Sequence, residues 1–144
     1  MTIKTVIDIR RPVAEVFTEL VNPDNMSKWI EGFVKLEKVK GRRPRRGSIS
    51  TQVHKDSKGR MELREEILLY ERNKKFEIRL SHKNMDTKQS YEFISQGQSV
   101  TRVTLITQTR LIPAFIAIFS VFMKGSMKQQ QEANLMRFKK LMEK

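Results

Sequence analysis

The sequence predicts an α+β fold with antiparallel strands in the middle of the chain and helices on either side of them. Three observations support this prediction. The 144-residue chain opens on a β-branched segment that is typical of a strand. From Phe33 to about Arg110 the apolar residues recur with a period of two, whereas in residues 13–30 and from Pro113 onward they recur with helical spacing.

The N-terminal segment predicts one strand and two short helices. Residues 2–10 form the strand, and Pro12 stands where the first helix begins, because its missing N–H donor costs nothing there. Asn22 is the expected N-cap of the second helix, Pro23 its first residue, and Gly32 its end. The first helix has one apolar face, formed by Val13, Val16, Phe17 and Leu20.

The middle of the chain predicts six strands. The alternation is clearest where Phe76, Ile78 and Leu80 share one face and polar residues occupy the other. The connections are short and rich in turn-forming residues, which indicates antiparallel neighbours. The predicted strands span residues 33–39, 48–55, 61–72, 76–82, 87–95 and 100–109.

The last third predicts helix from Pro113 onward. Gly125-Ser126 interrupts the apolar pattern, so we expect either a kink there or two helices that meet end to end. The run from Leu111 to Met123 is shorter than the ~20 residues that a membrane-spanning helix needs. It is apolar on nearly all sides, which favours burial under the sheet over an interfacial membrane segment. Two apolar stripes stand out: Phe115, Ile118, Phe119 and Phe122, then Leu135, Phe138, Leu141 and Met142.

Composition excludes several functional classes. The chain has no cysteine and only two histidines, His54 and His82, which excludes disulfides, thiolate zinc sites, cysteine nucleophiles and three-histidine metal sites. It contains no P-loop, no dinucleotide fingerprint and no G-x-S-x-G elbow, so we predict no cofactor. The start of the sequence is unlike a signal peptide, which predicts a cytoplasmic protein.

The element order and two sequence segments resemble a known superfamily. The segments are IDIRRPVAEVFTELVNPDNMSKWIEGF near the start and NLMRFKKLMEK at the end. They resemble the SRPBCC (START-like) superfamily, within it the polyketide cyclase/dehydrase and lipid transport group. The resemblance implies that residues 1–144 form one domain with a helix-grip fold. In that fold a curved antiparallel sheet of about seven strands wraps around a long C-terminal helix and leaves a cavity between them.

The same resemblance implies a hydrophobic small molecule or lipid as the ligand of that cavity. Aromatic and aliphatic residues on the inward faces are the candidate lining, although residues of these types also fill ordinary cores. The candidates are Phe33, Phe76, Ile78, Tyr91, Phe93, Phe115, Phe119, Phe122 and Met123.

Two side chains are candidates for chemistry. His82 continues the inward face of its strand, and a histidine in a cavity can act as a general base, although its position at the strand end is more typical of a solvated residue. Glu65 shares the parity of its apolar neighbours, so it would need a partner such as Arg79 or Arg102. His54 has the opposite parity to the apolar residues of its strand and is expected to face solvent.

The chain is strongly basic, with 29 Lys and Arg against 16 Asp and Glu and a net charge of +13. A basic cluster, defined here as the cations of residues 35–46, lies between two predicted strands. A solvated loop and an anionic membrane contact are both compatible with it. Nucleic-acid binding is disfavoured because no aromatic residue lies between Gly41 and Gly47 to stack on a base.

The leading hypothesis is therefore a carrier or sensor that binds a hydrophobic molecule without catalysis. One alternative is a small cyclase or dehydratase that acts on a polyketide-like or aromatic substrate through His82 or Glu65. The other is a basic peripheral protein that delivers a lipid at anionic membranes. The sequence leaves the ligand and the oligomeric state open.

Overall fold

A computed structural model of the chain describes residues 1–83, 85–111 and 121–144, apart from the side chains of 121 and 122. Seven strands and three helices are present in these residues. The elements in chain order are β1 (Thr2–Ile9), α1 (Val13–Val21), α2 (Pro23–Trp29), β2 (Phe33–Lys40), β3 (Ile49–Asp56), β4 (Gly59–Glu71), β5 (Lys75–His82), β6 (Met85–Ser95), β7 (Thr101–Leu111) and α3 (Val121–Met142).

All seven strands form one curved antiparallel sheet with the order β1-β7-β6-β5-β4-β3-β2. The first strand pairs with the last, and α1 and α2 carry the chain from one edge of the sheet to the other. The predicted fold class, strand number and pair of short helices are confirmed.

Local sequence chemistry places the two short helices as expected. Asn22 caps α2, since its Oδ1 accepts a hydrogen bond of 3.0 Å from the Asp24 backbone N–H, and Pro23 is the first helical residue. The apolar face of α1 is buried, and the Phe17 ring lies 5.4 Å from Tyr70 and 5.0 Å from Phe93, edge-on to both.

The helix α3 packs against β1 and α2. Leu135 and Phe138 are fully buried, and the Phe138 ring lies 5.2 Å from that of Trp29. One helix runs through Gly125-Ser126, so the expectation of two helices meeting there is wrong. A pair of weak helix formers does not end a helix whose later residues are held by packing.

A bulge in β4 explains why its apolar pattern is hard to interpret. Leu63, Glu65 and Ile67 are buried on one face, and the pairing with β5 then shifts between Ile67 and Leu69. After the bulge, Tyr70 takes the inward position. The parity predicted for Glu65 is confirmed.

The beginning of the predicted C-terminal helix lies outside the described residues. This applies to Pro113, Phe115, Ile118 and Phe119, and to the side chain of Phe122. Among the residues that are described, no helix combines the length and apolarity needed to cross a bilayer.

Candidate ligand-binding cavity

A cavity of about 650 Å³ lies between the inward face of the sheet and the helices α2 and α3. Its apolar lining comes from the helices and from several strands of the sheet. These residues are Ile3, Leu20, Met26, Trp29, Ile30, Leu63, Phe76, Ile78, Leu80, Met85, Tyr91, Leu105, Met127 and Leu135.

Some of the strand residues predicted to line the cavity are among its described lining residues, and others are not. Phe76, Ile78 and Tyr91 are among its walls. Phe33 and Phe93 are buried but not among the described lining residues.

The lining candidates of the predicted C-terminal helix are not among the described lining residues. Met123 is 42% exposed and is likewise absent from the described lining, whereas Met127, one helical turn later, contributes to it. Phe115, Phe119 and the side chain of Phe122 are outside the described residues.

One wall of the cavity is polar but satisfied internally. Gln131 of α3 accepts a hydrogen bond of 2.6 Å from the Thr107 hydroxyl and donates one of 3.0 Å to the Thr5 hydroxyl. The hydroxyls of Thr87 and Thr109 lie 3.2 Å apart. The two Gln131 bonds fix α3 against β1 and β7, and none of these contacts places a charge at this wall.

A buried ion pair lies next to the cavity. Glu65 is fully buried, and its Oε1 accepts a hydrogen bond of 2.9 Å from Arg43 Nε, whose side chain is 3% exposed. Arg43 also donates to the Val21 carbonyl oxygen at 2.8 Å, and its guanidinium lies over the Phe76 ring. Because the surroundings have a low dielectric constant, removal of either charge would leave the other buried without a counter-ion, which is strongly destabilising.

The partner of Glu65 differs from the prediction. Arg79 pairs with Asp86 at 3.4 Å and Arg102 pairs with Asp8 at 2.8 Å, both at the surface. Arg43 comes instead from the basic cluster, for which the sequence predicted either a solvated loop or a membrane contact. One side chain of that run therefore lies in the interior because it neutralises Glu65.

A hydrogen-bond chain extends from the ion pair to the cavity. The buried Gln52 donates from Nε2 to Glu65 Oε2 at 2.6 Å, and its Oε1 lies 2.9 Å from Nε2 of His54. The carboxylate accepts only, so it fixes which end of the Gln52 amide faces it. Gln52 Oε1 must then accept from His54, which leaves Nδ1 as the unprotonated nitrogen of the neutral ring.

His54 contradicts the expectation that it faces solvent. It is half-buried, lines the cavity, and contacts the Phe33 ring edge-on at 5.4 Å. The inward face of β3 carries the polar residues Ser50, Gln52 and His54, so an assignment based on apolar parity selects the wrong face.

Burial favours the neutral form of two cavity groups. Desolvation lowers the pKa of His54 below its ordinary value of 6.5. Desolvation, with a smaller contribution from the nearby Glu65 carboxylate, raises the pKa of the Tyr91 phenol.

The lowered pKa of His54 predicts a loss of stability in mild acid. The unfolded chain binds a proton at His54 at a higher pH than the folded protein, so stability falls as the pH decreases below about 6.5. Urea unfolding at a series of pH values is expected to show a shallower decline for His54→Leu than for the wild type. Identical slopes in the two proteins would contradict the prediction.

The Trp29 indole carries a hydrogen-bond donor that has no partner in the described residues. The residue lines the cavity and is 2% exposed. A buried donor without an acceptor costs free energy. The sequence offered no indication of this, because only the fold reveals which partners an indole lacks.

His82 lies at the end of β5, half-buried and paired in register with Met85. Met85 lines the cavity, whereas His82 is not among the described lining residues. Within the described ranges, no three acidic or imidazole side chains come together as a metal site would require.

The rest of the basic cluster lies on and beyond β2, the edge strand of the sheet. Its exposed cations flank Val39, which is 65% exposed. Charges on an edge strand oppose pairing with a second sheet. The exposed members are Lys35, Lys38, Lys40, Arg42, Arg45 and Arg46.

Comparison with known proteins places this architecture in a family. The profile of the family described as polyketide cyclase/dehydrase and lipid transport matches residues 1–143. The chain belongs to this family. The resemblance drawn from the sequence is confirmed over the whole chain, and so is the helix-grip fold of the SRPBCC superfamily. No curated protein sequence matches the chain significantly.

Solved structures share the fold at low sequence identity. The protein TTHA0849 from Thermus thermophilus has a TM-score of 0.78 at 17% identity, with 97% of this chain and 95% of that chain covered. A conserved protein from Geobacillus kaustophilus has a TM-score of 0.81 at 15% identity, with 99% and 95% covered. The di-domain ARO/CYC StfQ of the steffimycin biosynthetic pathway has a TM-score of 0.77 at 12% identity, with 99% of this chain and 50% of that chain covered.

Proposed function

We propose that this chain binds a hydrophobic small molecule or lipid in the cavity and acts as its carrier or sensor. The observation that supports this most is the cavity itself, about 650 Å³ in volume and walled mainly by apolar side chains. Ligand sites typically enclose ~300–1,000 Å³ and combine apolar walls with a few polar groups. Membership of a family described by cyclisation, dehydration and lipid transport is consistent with such a ligand.

Binding is favoured over catalysis by the state of the candidate acid–base residues. The Glu65 carboxylate is engaged by Arg43 and Gln52 and is not among the described lining residues, so it does not meet a ligand there. His82 lies at a strand end and is not among the described lining residues. Of the two histidines, His54 is the one among the described lining residues. Its hydrogen bond to Gln52 holds the ring in place, which supports a role in orienting a bound ligand.

A paired substitution on β6 tests the proposal. Gln89 lines the cavity between the inward residues Thr87 and Tyr91, whereas Glu92 is exposed on the opposite face. A phenylalanine at position 89 would occupy ligand space. We expect Gln89→Phe to weaken binding of the neutral fluorescent probe N-phenyl-1-naphthylamine at least about tenfold.

The control is Glu92→Phe, which adds the same ring outside the cavity and is expected to bind the probe like the wild type. Titration by probe fluorescence, with circular dichroism to confirm folding, measures both variants. Absence of probe binding to the wild type, or equal binding by Gln89→Phe, would overturn the proposed function.

A further inference from the structure

The charges around the cavity fall into two groups, exposed side chains at its rim and one ion pair in the interior. Glu31, Lys55 and Asp56 are the charged side chains of the described lining, and all three are exposed at its rim. Deeper in the fold, Arg43 and Glu65 neutralise each other at 2.9 Å. Within the described residues, the interior therefore offers no uncompensated charge to a ligand.

The remaining residues cannot supply one either. Asn84 and residues 112–120, together with the side chains of 121 and 122, include no acidic, basic or histidine side chain. A charged ligand group that entered the interior would lose its hydration without gaining a counter-ion, which is strongly unfavourable.

Hydrogen-bonding capacity is present in the same interior. His54 lines the cavity, and because its Nε2–H is directed to Gln52 Oε1, its Nδ1 is left as an acceptor. An uncharged hydroxyl can donate a hydrogen bond to that nitrogen, whereas an ionised carboxylate has no proton to donate.

We propose that the cavity selects an uncharged amphiphile that carries a hydroxyl group, with His54 as its polar anchor, and that it discriminates against carboxylates. This inference rests on the proposed function and narrows the class of ligand. It runs against the overall electrostatics, because a net charge of +13 would by itself favour an anion. A preference for the neutral compound would therefore arise from the lack of an uncompensated charge in the interior and not from the net charge of the protein.

Decanol and decanoate form a suitable pair of probes, because they share one alkyl chain and differ in the charge of the polar end. Each is used at neutral pH to displace N-phenyl-1-naphthylamine from the wild-type protein. We expect decanol to displace the naphthylamine at a concentration at least about tenfold lower than decanoate.

One variant tests the anchor. His54→Leu removes the acceptor, so it is expected to weaken decanol binding relative to naphthylamine binding about threefold or more. His82→Leu is the control and should leave that ratio unchanged. Comparing the two compounds within one variant separates the loss of an anchor from a general change in the cavity.

The outcomes distinguish this inference from the function on which it rests. Decanoate binding as tightly as decanol would overturn the charge discrimination, and an unchanged ratio in His54→Leu would overturn the anchor, while either result would leave hydrophobic binding intact. Failure of the naphthylamine and decanol alike to bind the wild type would overturn the proposed function.

Discussion

Replacement of Glu65 by alanine is expected to lower the free energy of unfolding by about 3–5 kcal/mol. The change leaves the Arg43 guanidinium, 3% exposed, without its counter-ion and removes the acceptor of Gln52. An uncompensated buried charge is among the most costly defects in a protein interior. Urea unfolding followed by circular dichroism measures the effect.

Glu66→Ala is the matched control for this change. Glu66 is the next residue on β4, faces the other side of the sheet, and makes a partly exposed contact of 3.4 Å with Arg64. Its loss is expected to cost no more than about 1 kcal/mol. If Glu65→Ala fails to fold, Glu65→Gln provides a milder test, since it retains hydrogen-bonding atoms and removes only the charge.

A double variant separates the charge from the packing. Arg43→Met combined with Glu65→Leu replaces the pair by apolar side chains, and we expect it to be markedly more stable than Glu65→Ala. A double variant as unstable as the single one, or a cost below about 1 kcal/mol for Glu65→Ala, would contradict the interpretation of this pair as mutually dependent buried charges.

Truncation of Phe138 to alanine is expected to destabilise the fold by about 3–5 kcal/mol. Phe138 is fully buried on α3 and packs against Trp29 at 5.2 Å between ring centroids, so its removal leaves a cavity between α3 and α2. Met136 is 46% exposed on the same helix, and Met136→Ala is expected to change stability by less than about 0.5 kcal/mol. Equal effects of the two substitutions in urea unfolding would contradict the placement of α3 on the sheet.

The fold was predictable because its determinants are local in sequence. The period of two in residues 76–82 identifies a strand with one buried face, and Asn22-Pro23 supplies both the cap and the first residue of α2. Short connections then require antiparallel neighbours. Each of these determinants acts over a few residues and needs no knowledge of the tertiary structure.

The polar interior was not predictable because its partners are distant in sequence. Arg43 and Glu65 are 22 residues apart, and Arg43 lies in a run of cations whose other members are exposed. Which arginine of such a run enters the core depends on the fold. Because β4 has a bulge and the inward face of β3 is polar, the buried positions of these two strands do not follow from hydropathy alone.

One feature of β3 was nevertheless available in the sequence. Ser50, Gln52 and His54 alternate along one face of a strand that neighbours the strand of Glu65. Polar side chains in alternation opposite a carboxylate indicate a hydrogen-bonded interior as readily as a solvated surface. Considered together with Glu65, these polar residues indicate the inward face of β3, which the apolar residues alone do not identify.

The measurement that tests the central claim most directly is methyl NMR of the protein titrated with N-phenyl-1-naphthylamine. Ile3, Ile78 and Leu105 line the cavity, whereas Val39 and Ile94 are 65% and 45% exposed elsewhere. We predict that the shift changes and intermolecular contacts fall on the lining methyls and spare the two exposed residues. Changes confined to Val39 and Ile94, or none at all, would contradict a ligand site between the helix and the sheet.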